Sequence, residues 1–110
     1  MIHIIREKAT ASQLAEMLEE LENYVKLAVD VERCVLAGGG AMHADCETAL
    51  LEDGSKQEDI WGADWIPSSQ EVTYESLINL RPGQGNLSME LMDSELRAKV
   101  RQIATELLGE

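Results

Sequence analysis

The side chains that could carry out chemistry are concentrated in one segment of this sequence, residues 38–47. The segment opens with three consecutive glycines. It continues with four side chains that can bind a metal ion or transfer a proton, namely His43, Asp45, Cys46 and Glu47. Carboxylates favour hard divalent cations, whereas His and Cys favour zinc. We therefore expect any active or binding site to include this segment, although its spacing matches no catalytic motif.

A metal site is one interpretation of these side chains. On a helix, His43 and Glu47 share one face because they are four positions apart, whereas Asp45 points away from them. The pair supplies two ligands, and Asp64 or His3 would have to supply a third. The spacing favours a plain surface pair, because metal sites usually show a stronger ligand pattern. The rival hypothesis is a metal-dependent hydrolase centred on this segment, with a divalent metal as its cofactor.

Gly39 and Gly40 precede the expected helix and also allow two interpretations. Amide groups at a helix N-terminus bind anions well when a glycine turn gives access to them. No Lys-Ser or Lys-Thr pair follows, however, as a phosphate-binding loop would require. Asp45 and Glu47 would moreover occupy the positive end of the helix dipole. The pattern therefore favours a tight turn or close backbone packing.

Both tryptophans lie in one predicted strand. Trp61 and Trp65 fall on the same face of it, and Asp64 falls on the opposite face. The chain has no Phe, so the tryptophans are expected to fill the core, where aromatic rings bury a large area. A partly exposed recognition surface is the alternative, because Trp is enriched at interfaces.

The loop from Arg81 to Asn86 is another polar cluster. We expect this loop, the glycines and the segment from His43 to Glu47 to converge on one edge of the sheet. Asp64 or Trp65 should lie nearby, and this edge would form the main functional cleft, since binding groups concentrate on loops held by a rigid scaffold. Alternatively, Arg81 only pairs with a carboxylate of the segment and fastens the loop.

The first half of the sequence shows clear helix and strand periodicities. A capping box formed by Thr10 and Gln13 predicts the start of a helix whose apolar positions recur as far as Val25. Alternation with period two over 25–31, followed by the apolar run 34–37, predicts a hairpin. Residues 42–53 fit a helix closed by Gly54, although their alternation also permits a strand.

The second half is predicted to be a mixture of strands and one long helix. Its elements are strands over 60–66, 71–79 and 87–91, a loop over 81–86, and a final helix that begins at Asp93 or Ser94. The expected class is α+β. We expect one domain over residues 1–110, with a mostly antiparallel sheet covered on one side by an N-terminal helix, a C-terminal helix and a short helix after the glycines.

The composition limits the partners and the compartment. The formal net charge is −12, and such a surface repels phosphate backbones and anionic lipids, so we expect neither nucleic acid nor membrane as a partner. No apolar run is long enough to span a membrane, and the two cysteines do not form a disulfide framework. We expect a cytoplasmic protein with reduced thiols. A basic protein partner or a homo-oligomer remains compatible with this surface.

Several sequence blocks together resemble a small prokaryotic family of uncharacterised proteins, classed as a domain of unknown function. The blocks are Val29-Asp30 with Glu32-Arg33, Ala37–Gly40 with His43–Glu47, Leu50-Leu51 with Gly54-Ser55, Trp61–Ala63, and Ile78-Asn79 with Arg81-Pro82 and Gly85-Asn86. The similarity covers roughly residues 25–108. It implies a bacterial cytosolic domain, and it supplies neither an activity nor a set of catalytic residues.

Taken together, the sequence favours a binding or protein-interaction module. The small size, the acidic surface and the lack of a complete catalytic set all point in this direction. The metal-dependent hydrolase described above is the alternative from a different functional class.

Overall fold

The computed structural model describes residues 1–110 and contains one antiparallel sheet with three α-helices. Five strands lie side by side in the order β1-β3-β2-β4-β5. The strands are β1 (His3–Ile5), β2 (Val25–Asp30), β3 (Val35–Gly38), β4 (Ile60–Ile66) and β5 (Glu71–Thr73). The helices are α1 (Ala11–Met17), α2 (His43–Glu52) and α3 (Ser94–Leu108). The α+β class is confirmed, as are the two terminal helices and the helix after the glycines.

Helices cover both faces of the sheet, so the prediction that they cover one side is wrong. The main core lies between one face of the sheet and the helices α1 and α3, and it contains Leu27, Trp65 and Ile103. A second core lies on the opposite face beneath α2. Its members are Ala28, Val35, Ala37, Cys46, Leu50 and Ile60. The sequence pattern does not reveal this second buried face, because its central positions on β2 and β3 are alanines. In an alternating strand such small residues look like the solvent-facing positions.

The first helix starts as predicted and ends earlier. Thr10 accepts a hydrogen bond from the backbone N–H of Gln13, and the Gln13 side chain accepts from the backbone N–H of Thr10. The helix stops at Met17, because the chain must reverse through a turn with Glu22 at φ 63° before β2 starts at Val25. Strand β1, which pairs with β3, was not predicted because three residues are too few to show a period.

The glycine turn is shaped by close packing. Gly39 has φ +104°, and a Cβ atom on it would lie 2.2 Å from the backbone oxygen of Met1. A Cβ on Gly40 would lie 3.3 Å from Sγ of Cys46 in α2. The chain can therefore pass between the N-terminal strand and α2 only because these positions lack side chains. This geometry agrees with the tight-turn interpretation.

Helix α2 is a helix and not a strand, and its end has the predicted form. Gly54 follows the helix with φ +102°. Its N–H donates to the carbonyl of Leu51, and the N–H of Ser55 donates to the carbonyl of Leu50. These two hydrogen bonds form a Schellman motif, which satisfies carbonyl groups at the helix end.

Residues 74–92 form an irregular segment, so the strand predicted over 71–79 is right only as far as Thr73 and the strand predicted over 87–91 is wrong. Strand β5 ends at Thr73, and the predicted strand over 87–91 contributes only a single bridge between Glu75 and Glu90. The reason is that a side chain takes over the edge of β4. The Asn79 amide accepts from the N–H of Gly62 at 2.8 Å and donates to the carbonyl of Gly62 at 2.9 Å.

A second buried amide anchors the rest of this segment. The Asn86 side chain donates to the carbonyls of Asn79, Ser88 and Glu90, and it accepts from the N–H of Met92. Asn86 is buried, and these contacts satisfy a side chain that would otherwise be costly to remove from water. The segment is thus irregular in conformation and firmly held.

The last helix follows its prediction closely. The Asp93 carboxylate accepts hydrogen bonds from the N–H groups of Glu95 and Leu96, which makes Asp93 the N-cap. The apolar stripe of α3 packs into the main core. Its residues are Leu96, Val100, Ile103, Leu107 and Leu108. No helix combines the length and the apolar character that a membrane crossing requires.

Replacing Gly39 by Ala should strongly destabilise the fold. The positive φ and the close approach of the Met1 oxygen both oppose a side chain, so we expect the free energy of unfolding to fall by about 3 kcal/mol. Urea denaturation measures this quantity. Gly83→Ala is the matched control, because no atom lies within 4 Å of its added Cβ, and its effect should stay below about 1 kcal/mol. Equal effects of the two substitutions would contradict this account.

Asp53 should make the stability depend on pH in the acid range. Hydrogen bonds from Arg6 and Arg33 hold the pKa of this carboxyl well below its ordinary value of 3.8. Because folding lowers this pKa, the ionised Asp53 stabilises the fold fully above about pH 4. This stabilisation is lost as the pH falls further. The difference in Tm between wild type and Asp53→Asn should therefore shrink from pH 5 to pH 3. Glu20→Gln, at an exposed position, should differ from wild type by the same small amount throughout. A constant gap for Asp53→Asn would refute the assignment.

Candidate functional site

The first residue of α2 forms a partly buried polar contact with β4. His43 Nε2 lies 2.8 Å from Oδ1 of Asp64 and 3.1 Å from the backbone oxygen of Ala63. The hydroxyl of Thr73 donates to Oδ2 of Asp64 at 3.3 Å. The exposed fractions of the His43 and Asp64 side chains are only 12% and 17%. Both carboxylate oxygens of Asp64 therefore have partners within the chain.

His43 also lines a cavity of about 280 Å³, which we call the His43 cavity. The cavity lies between the start of α2, β2 and the segment 74–92. Its lining residues are Lys26, Met42, His43, Ala44, Glu75, Ser76, Leu77, Ile78 and Met89. Apolar side chains thus surround a small set of polar and charged groups, which is the usual composition of a ligand site.

Arg81 fastens the segment 74–92 to the rest of the domain. Its guanidinium donates to the backbone oxygens of Ile78 and Gln57, each at 2.8 Å, and to that of Ile60. It also donates to Oε2 of Glu47 at 3.4 Å. Burial lowers the pKa of Arg81, while the Glu47 carboxylate opposes this shift. The arrangement fits the structural interpretation, in which Arg81 pairs with a carboxylate of the glycine-rich segment.

The guanidinium of Arg81 additionally stacks on an aromatic ring. Its central carbon lies 4.4 Å from the centroid of the Trp61 ring, a distance at which a cation–π attraction operates. Next to it is a second cavity of about 370 Å³, which we call the Arg81 cavity and which Glu47, Gln57 and Leu80 help to line. Leu77 and Ile78 line both cavities. The two depressions are therefore neighbours on the α2 side of the sheet.

The structure brings some of the predicted site residues together and separates others. His43 meets Asp64, and Glu47 meets Arg81. Asp45 is exposed and forms no ion pair. The remaining predicted residues lie away from both cavities: Gly39 and Gly40 in the packed turn, Trp65 in the main core on the other face of β4, and Asn86 inside the loop network. The core interpretation of Trp61 and Trp65 thus agrees with their burial.

The structure brings together two possible metal ligands and no third. His43 and Asp64 are in contact, whereas Glu47 is turned toward Arg81. His3, the other suggested ligand, lies on β1 beside Glu16. No group of three or more His, Cys, Asp or Glu side chains is placed to hold one ion. A divalent metal at this segment stays a prediction.

The two cysteines differ in their surroundings. Cys46 is buried in the second core, and burial raises the pKa of its thiol. A raised pKa leaves little thiolate at neutral pH, so Cys46 is a poor nucleophile. Cys34 is exposed in the hairpin turn, with φ 56°. The sequence places Cys34 at the start of the apolar run 34–37, which suggests a core thiol, but the strand begins one residue later and leaves Cys34 in the turn.

Several residues around the cavities were not expected to matter. The sequence pattern places Lys26 at a solvent-facing position of an amphipathic strand, and it places Leu77 and Met89 within predicted strands. Their real surroundings depend on the irregular path of residues 74–92, which the buried amides determine. The polar character of Asn79 within an apolar run was the available signal, since a buried amide usually satisfies backbone groups.

Arg81→Lys should destabilise the domain although it keeps the charge. A lysine cannot reproduce the planar fork that reaches three backbone oxygens at once, so we expect the free energy of unfolding to fall by about 2 kcal/mol. Arg101→Lys, on the exposed face of α3, should change it by less than about 0.5 kcal/mol. Urea denaturation of both variants makes the comparison. A similar result for the two would show that Arg81 does not anchor the segment.

Comparison with known proteins gives a family and no activity. No curated protein and no solved structure matches the chain. One family model, described as a protein of unknown function (DUF5674), matches residues 3–107. This agrees with the resemblance to a domain of unknown function. Because the match spans nearly the whole sequence, the chain belongs to the DUF5674 family of proteins of unknown function.

Proposed function

We propose that this protein is a binding module that recognises a basic polypeptide through the segment 74–92 and the start of α2. The observation behind the proposal is the distribution of exposed apolar side chains. Five of the nine large apolar residues that are exposed fall within residues 77–92. They are Leu77, Leu80, Leu87, Met89 and Met92, with exposed fractions from 43% to 76%. Clustered exposure of this kind marks interaction sites, whereas scattered exposure does not.

Four of the exposed side chains form one continuous area, which we call the loop surface. Met42, Leu77 and Met89 line the His43 cavity, and Leu77 and Leu80 line the Arg81 cavity. Leu77 therefore joins the two halves. Methionine is well suited to such a surface, because its flexible thioether adapts to different partners.

The loop surface is held in place before any partner binds. Asn79 and Asn86 anchor the segment by buried hydrogen bonds, and Arg81 ties it to β4 and α2. A segment that is already ordered loses little conformational entropy on binding, so more of the contact energy is available for affinity. The apolar side chains are thus presented by a rigid support.

The charge of the protein favours a basic partner over a second copy of the chain. The chain has 21 acidic and 9 basic residues. Two copies would bring together two chains with a net charge of −12 each, and their repulsion opposes assembly at moderate salt. A polypeptide with apolar anchors and flanking Lys or Arg would gain from apolar contact with the loop surface and from attraction to the negative charge of the chain. A cytoplasmic setting, expected from the reduced cysteines, is part of this proposal.

The proposal can be tested with a designed peptide as the probe. An 18-residue amphipathic peptide of Leu and Lys should shift the NMR signals of Leu77 and Met89 and bind less tightly as salt is raised. Leu77→Ser should weaken this binding at least tenfold. Leu51→Ser is the matched control, because Leu51 is also exposed but lies at the end of α2. Its affinity should match that of wild type.

Two outcomes would contradict the proposal. One is equal binding by the two variants, which would show that the peptide attaches through charge alone. The other is a wild-type dimer in light scattering that Leu77→Ser converts to a monomer. That result would assign the loop surface to self-assembly.

A further inference from the structure

The contacts of His43 determine which ring nitrogen can serve a ligand. Nε2 faces two oxygens that only accept hydrogen bonds, one from the Asp64 carboxylate and one from the Ala63 carbonyl. Nε2 must therefore carry the proton of the neutral ring, which leaves Nδ1 as an acceptor. Nδ1 forms no hydrogen bond within the chain, and it is not buried. Nδ1 is therefore open to solvent, and it belongs to a residue that lines the His43 cavity.

Lys26 gives the same cavity a free positive charge. Lys26 lies opposite Asp64 in the register of β2 and β4, so the two side chains share one face of the sheet. Both oxygens of Asp64 already bond to His43 and Thr73. The Lys26 ammonium forms no ion pair in the chain. An ammonium beside an apolar wall can still pair with a carboxylate from a ligand.

The rest of the cavity sets the size and the character of the occupant. Its volume of about 280 Å³ lies near the lower end for ligand sites, which are roughly 300–1,000 Å³. Met42, Leu77 and Met89 provide apolar walls, and Glu75, which also lines the cavity, carries a carboxylate that can accept hydrogen bonds. The cavity thus offers one cation, two acceptors and an apolar wall to a small molecule.

We propose that the His43 cavity binds a free apolar α-amino acid. The carboxylate of the ligand pairs with Lys26, its ammonium donates to Nδ1 of His43 and to Glu75, and its side chain packs on Met42, Leu77 and Met89. Such a ligand has no net charge, so the overall charge of −12 does not repel it. The apolar side chain of the ligand would use Met42, Leu77 and Met89, which also belong to the loop surface, whereas its charged groups would use Lys26, His43 and Glu75, on which the polypeptide proposal does not rest.

The first test observes the imidazole directly. Long-range ¹⁵N–¹H NMR at pH 7.5 should show His43 as the tautomer with hydrogen on Nε2. A ring protonated on both nitrogens, or on Nδ1 alone, would overturn the proposal, because the acceptor it needs would be missing.

The second test follows binding of leucine and two truncated probes. Leucine should produce saturable shifts at His43 and Lys26. Both 4-methylpentanoate, which lacks the amine, and 3-methylbutylamine, which lacks the carboxylate, should bind at least tenfold more weakly. N-acetylleucine, which imitates a peptide C-terminus, should also be at least tenfold weaker. Absence of saturable shifts, or equal binding of N-acetylleucine, would overturn the assignment of a free amino acid.

Two lysine variants test whether Lys26 binds the carboxylate of the ligand. Lys26→Met should weaken leucine binding at least tenfold and leave 3-methylbutylamine unaffected. Lys56→Met is the control, because Lys56 is exposed and does not line the cavity, and it should bind leucine as wild type does. The ¹H–¹⁵N spectrum confirms that each variant is folded. Equal leucine affinities for the two folded variants would refute the role of Lys26.

Discussion

The edge of β4 depends on one side-chain amide, and much of the α2 side of the molecule follows from it. Strand β5 pairs with only the last three residues of β4, so the backbone of Gly62 would otherwise lack partners on that side. Asn79 supplies both an acceptor and a donor to Gly62. An unpaired buried N–H or carbonyl is costly, and this requirement brings residues 77–79 against the sheet.

Close packing around Gly62 makes this arrangement specific. A Cβ on Gly62 would lie 2.5 Å from the Cβ of Ser76, so the segment can approach only because the strand has a glycine there. The turn at Leu77 and Ile78 then separates the two cavities and lines both. The concave surface of the protein is thus a consequence of how an incomplete sheet edge is satisfied.

The same edge accounts for the distribution of charge. Arg81 gives its donors to backbone oxygens and to Glu47, so one of the few positive charges in the chain is used internally. Asp64 is likewise occupied by His43 and Thr73. The exposed apolar side chains of the loop surface thus belong to a chain with a net charge of −12, and Lys26 is left without an internal partner. We propose a basic polypeptide as the ligand of the loop surface and a zwitterionic small molecule as the ligand of the His43 cavity.

The sequence alone determined the local elements and the class of the fold. The capping box at Thr10, the cap at Asp93, the hairpin and the glycine cap after α2 all follow from interactions between residues close in the chain, which periodicity and capping rules describe. It also singled out His43, Glu47 and Arg81. The acidic surface, and with it the expectation about partners, follows directly from composition.

Only the tertiary structure decided what those residues contact. Alanines on β2 and β3 concealed a second buried face, so the position of α2 could not be read from the pattern. The pairing of His43 with Asp64 joins residues 21 positions apart, and the path of residues 74–92 depends on the edge of β4. These features arise from contacts between distant parts of the chain, and periodicity reports only the neighbours along it.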